Sequence, residues 1–115
     1  MSEHRDEKHY LNDILESIAA IEIYLENMNY KEFIHDRKTC SATIRELEII
    51  GEAVGKISSE IKSKYSDVLW QPIKDFRNKI VHEYFGIDYR MVWDIVKNEL
   101  PILNSQISDI IKGLT

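Results

Sequence analysis

A chain of 115 residues with 43% hydrophobic and 30% charged residues has the balance of one folded globular domain, residues 1–115, rather than a disordered chain, and holds no apolar run near the 18 residues a membrane span needs. A single cysteine, Cys40, cannot close an internal disulfide, and the charged start Met1–Lys8 lacks the apolar run of a secretory leader, so a cytoplasmic location is expected. The formal net charge of −5 argues against indiscriminate nucleic-acid binding, whose affinity comes from phosphate contacts.

Leu11, Ile14, Ile18, Ile21, Leu25 and Met28 recur at spacings of three and four, which predicts one amphipathic helix over about residues 4–28. Asn29 followed by Glu32 resembles a capping box that restarts a short helical turn, and Asp36 can cap the next helix. That helix, about 37–57, carries the stripe Cys40, Ile44, Leu47, Gly51, Val54 and Ile57. Glycine weakens a helix interior, so Gly51 and Gly55 are expected to admit a neighbouring backbone. Residues 58–68 are rich in short polar side chains and read as a connector with one helical turn.

Asp67 can then cap a helix over about 68–84, where Leu69, Ile73, Phe76 and Ile80 form the stripe. Gly86 supplies a stop and Asp88 a new cap. A long last helix follows, marked by Val92, Trp93, Val96, Leu100, Leu103, Ile107 and Ile110, and Pro101 is expected to kink it rather than end it. No alternating strand pattern is visible, so the fold class is all-α, an antiparallel bundle of four to five helices.

Charge and chemistry concentrate in the same stretch. Residues 1–55 hold six Lys or Arg against twelve Asp or Glu, whereas 56–97 hold eight against six. The contrast permits a local anion site, although solvated helix faces vary in this way by chance. Within the basic stretch lies Phe76-Arg77-Asn78-Lys79-Ile80-Val81-His82-Glu83-Tyr84.

Arginine, asparagine and histidine together supply what phosphodiester cleavage needs without a metal: a fixed positive charge, a neutral donor, and a group that moves protons near neutral pH. His82 would be the base that takes the ribose 2′-hydroxyl proton, or the acid for the leaving oxygen, and Arg77 would stabilise the charge building on the phosphate. Arg77, Asn78 and His82 all lie off the apolar stripe. Asp75 could orient Arg77, or make an ordinary solvent salt bridge. Tyr84 admits packing beside the stripe or an exposed hydroxyl handle, and the residues alone favour packing. Trp70 and Trp93 have helical spacing that favours the core over base stacking.

At about 100° per residue, Asn78 and His82 share a face whereas Arg77 and His82 differ by about 140°. Two copies about a twofold axis would bring both kinds of side chain into one cleft, so a homodimer with its site at the interface is expected. His4, His9, His35 and Cys40 lack the spacing of a metal site, and no metal or other cofactor is expected.

The chain resembles the HepT family of HEPN-domain proteins, the toxin halves of HEPN/MNT toxin-antitoxin pairs. The marks are Gly51-Glu52-Ala53 on the second long helix, Trp70 before the motif helix, Arg77-Asn78 followed by His82 and Tyr84, and Val92-Trp93. The resemblance covers nearly the whole chain. It implies a HEPN-type bundle, a homodimer with Arg77 and His82 of both chains at the interface, and metal-independent RNA cleavage, the target being messenger or transfer RNA. It also implies a partner, a minimal nucleotidyltransferase that silences the toxin by moving AMP onto Tyr84. The competing expectation is a non-catalytic helical subunit, or an antitoxin, that docks such a nucleotidyltransferase and contributes no chemistry.

Overall fold

The first helix, α1 (Ser2–Tyr24), buries Leu11, Ile14, Ile18 and Ile21 completely. The computed structural model describes residues 2–82 and 86–114, and side chains within 6–80 and 86–114. The helix stops four residues earlier than its stripe suggests. Asn27 takes a φ of 62° and the Met28 N–H bonds back to the Leu25 carbonyl, the left-handed turn that asparagine tolerates at a helix end. Leu25 stays buried beyond the last helical residue, so the apolar spacing outlasts the helix itself.

The expected capping box is present. The Asn29 side chain accepts from the Glu32 N–H at 2.8 Å and the Glu32 carboxylate accepts from the Asn29 N–H at 2.9 Å, starting α2 (Tyr30–Ile34). Its Phe33 is fully buried, with Trp93 at 5.4 Å and Tyr89 at 6.4 Å between ring centres. Asp36 caps α3 (Arg37–Lys56), accepting from the Thr39 N–H at 3.0 Å. Ser58 caps the short α4 (Ser59–Lys64) in the same manner. The start of α4 is also tied to α1, because the buried Glu7 carboxylate accepts from the Ser58 N–H at 3.1 Å.

The motif helix α5 (Trp70–His82) begins later than residue 68, and Asp67 does not cap it. The Tyr65 carbonyl accepts from both the Val68 N–H and the Trp70 indole, and with Val68 and Trp70 buried this holds the chain in a turn. The first helical bond runs from the Ile73 N–H to the Leu69 carbonyl. Leu69 therefore sits at the helix entrance and is 58% exposed, not a core residue. Residues 83 and 84, the expected end of this helix, lie outside the described residues.

Asp88 caps α6 (Tyr89–Asp94), which runs through a π-helical turn (Ile95–Glu99) into α7 (Leu100–Leu114). The disturbance announced by Pro101 thus falls on its N-terminal side. Proline has no N–H for the carbonyl four residues back and its ring crowds that carbonyl. The widened turn, with the Leu100 N–H bonded to Ile95, takes up the strain while the helix continues.

Among the described residues every regular element is helical, as the periodicities require. α1 packs on α3 and α7, α3 packs on α5, and α2 spans α3 and α6. The site helix α5 is thereby braced on the central α3. Among the described residues no helix is long and apolar enough to cross a membrane.

Candidate active site

Arg77 lies on the face of α5 that meets α3. Gly51 of α3 is buried there, and a Cβ built on it would overlap the Cβ and Cγ of Arg77. The glycine expected to admit a neighbour therefore admits the arginine's own stem. Arg77 is closer to the packing face than its position off the apolar stripe suggests: the aliphatic stem is part of the helix contact, and the side chain as a whole is 30% exposed. Such division of a long cationic side chain between apolar stem and wet head is common.

The guanidinium is held on two sides. One terminal nitrogen donates to the Asn78 amide oxygen at 3.2 Å, and the other is 3.6 Å from the Glu52 carboxylate. Glu52 is the residue after Gly51, so the glycine that seats the stem sets the acid beside the head. Glu52 also lies 3.8 Å from Arg45, which is itself 3.5 Å from Glu48. The Arg77 Nε is buried and has no hydrogen-bond partner among the described residues. An arginine serving packing alone would be expected to satisfy that donor.

Asn78, adjacent on the chain, is half-buried and presents its amide oxygen to Arg77. Asp75 is exposed and accepts from Gln71 at 2.8 Å; the acidic group on Arg77 is Glu52, from a different helix. The backbone of His82 is the last turn of α5, and its side chain is outside the described set. Tyr84 lies outside the described residues altogether. Since α5 is continuous from Arg77 to His82, their backbone positions lie about 140° apart around the helix axis.

The remaining candidates have structural surroundings. The Trp70 indole donates to the Tyr65 carbonyl at 3.1 Å, and Trp93 packs on Tyr30 and Phe33. Cys40 is buried with its thiol donating to the Phe33 carbonyl, and burial pushes its pKa up, the opposite of what a nucleophilic thiol needs. Glu52 was legible only as one residue of a Gly-Glu-Ala element. Its role depends on α3 and α5 packing across 25 positions of sequence.

Beside the site, α5 borders an open apolar groove of about 570 Å³. Leu47 and Ile50 of α3, Ile73 and Phe76 of α5, Ile102 of α7 and Leu69 line it. Leu69 and Ile102 are more than half exposed.

The profile of the family described as ribonuclease HepT-like matches residues 14–110. A Thermococcus cleftensis protein named probable ribonuclease HepT is 38% identical over 94% of this chain and 98% of its own length. Two Methanocaldococcus jannaschii proteins, whose names carry an unproven RNase assignment, are each 41% identical over 96% of this chain and 91% and 95% of theirs. No solved structure matches the chain significantly.

Proposed function

The chain belongs to the ribonuclease HepT-like family, and on that premise we propose that it is the toxin of a HEPN/MNT pair, cleaving RNA without a metal at a site shared by two chains. The observation that carries this reading is the Arg77 guanidinium. It is fixed by its stem on Gly51, flanked by Asn78 and Glu52, and its Nε has no partner among the described residues.

In the proposed reaction a base removes the proton of the ribose 2′-hydroxyl, whose oxygen attacks the adjacent phosphorus, while the 5′ oxygen leaves with a proton from an acid. His82 fills one of these roles, since imidazole exchanges protons near neutral pH. Arg77 stabilises the negative charge on the non-bridging oxygens, and the Asn78 amide group adds a neutral donor. The product is a 2′,3′-cyclic phosphate.

The wide angle between Arg77 and His82 on one helix supports a homodimeric cleft. So does the groove along α5, because a second copy covering it would take Leu69 and Ile102 out of water. Tyr84, two positions beyond His82, is the proposed acceptor of AMP from a minimal nucleotidyltransferase. Added phosphate charge and bulk there would block RNA from the cleft.

The test is to incubate purified protein, with Tyr84 shown unmodified by mass, with RNA in excess chelator beside Arg77→Ala and His82→Ala variants. Cleavage by the wild type alone, leaving 2′,3′-cyclic phosphate ends, is the expected result. Equal RNA survival in all three samples defeats the proposal.

A further inference from the structure

The geometry points to Glu52 as a positioning residue for Arg77, an acid on α3 that aims the guanidinium carried by α5. The inference rests on the reading of Arg77 as the phosphate-stabilising group, and adds that its direction is set from a second helix.

Three observations carry it. First, Gly51 brings the Arg77 stem directly onto α3, so only the outer part of the side chain is free to turn. Second, the Glu52 carboxylate lies 3.6 Å from one terminal nitrogen while the Asn78 amide oxygen accepts from the other at 3.2 Å. The planar head is thus held from both sides. Third, Glu52 has its own brace, since Arg45 lies 3.8 Å from the same carboxylate oxygen and 3.5 Å from Glu48.

Energetics separates positioning from stability. Glu52 is 46% exposed and Arg77 30%, and ion pairs in such settings contribute little to folding because water screens them. A fixed direction matters for a different reason. The guanidinium has five N–H donors, of which, among the described residues, Asn78 and Glu52 engage one terminal nitrogen each, which leaves a hydrogen on each for phosphate oxygens. The transition state gains most when those donors need no reorganisation. The same carboxylate repels the phosphate, so Glu52 favours turnover at some expense of RNA affinity.

The test uses the full-length protein and a short RNA, with Glu52→Ala, Glu52→Gln and Arg77→Ala beside the wild type. Glu52→Ala is expected to lower kcat about 10-fold with KM unchanged or reduced and an unaltered melting temperature. Glu52→Gln, which keeps an acceptor oxygen in place, is expected to recover most of kcat. A Gln variant as slow as the Ala variant, an unchanged kcat in Glu52→Ala, or a raised KM alone would overturn the inference.

The reading beneath it fails separately, if Arg77→Ala turns over RNA like the wild type. A readout independent of activity is rotation about the Arg77 Nε–Cζ bond, followed by NMR of the guanidinium. Slow rotation in the wild type and fast rotation in Glu52→Ala is the expected pattern. Identical rotation in both overturns the positioning role even in a chain that cleaves nothing.

Discussion

At Gly51 the missing side chain decides where Arg77 can lie. A methyl group there meets the Cβ and Cγ of the arginine, atoms too close to the backbone to swing aside, so α3 and α5 must separate. Gly51→Ala is expected to destabilise the fold by about 1–3 kcal/mol, the usual cost of overpacking, and to lower RNA cleavage together with it. Thermal unfolding and turnover measured on the same preparation check this, and an alanine variant with wild-type values of both would contradict the close contact. At this scale the sequence names functional groups and is silent about their partners. The types and spacing of Arg77, Asn78 and His82 pointed to phosphodiester work, because functional groups are read directly from side chains. Asp75, the acid nearest to Arg77 in sequence, turned out to serve Gln71, whereas Glu52 reaches Arg77 through packing that no local spacing encodes.

Helix boundaries follow from hydrogen bonds that the apolar pattern only partly reports. The caps at Asn29 and Asp36 were legible because a cap is a local bond between neighbours. The start of α5 was not, since Leu69 continues the apolar rhythm while the turn around Tyr65 keeps it out of the helix. The Asp36 cap has a pH consequence. The Thr39 N–H holds the Asp36 carboxyl below its ordinary value of 3.8. The stabilisation is therefore complete above that ordinary value and is lost as pH falls through the lower folded value. Asp36→Asn keeps an acceptor that does not titrate. Thermal melts across an acid series should show a shallower loss of stability in the variant than in the wild type, and parallel curves would remove Asp36 as a contributor.

For the whole molecule, the groove along α5 joins the fold to the proposed assembly. Light scattering is expected to give twice the chain mass of 13.6 kDa. Ile102 is 56% exposed and lines the groove, so Ile102→Glu leaves the monomer's core intact while placing a charge where the second copy would sit. That variant should scatter as a monomer and cleave no RNA; a dimeric, active variant would move the interface elsewhere. The all-α bundle was legible because each helix shows its buried face as a periodic stripe. The π-helical turn was not, since Pro101 marks an interruption without saying which side yields. That turn makes the chain tolerant of length at one place. Its wider loop spans one residue more than an α turn, so losing a residue between 95 and 99 closes it to ordinary helix and keeps Val92, Leu103 and Ile107 facing inward, while returning the Pro101 ring to the carbonyl four residues back. Losing one further along would rotate everything after it by about 100° and turn the same leucines and isoleucines to water.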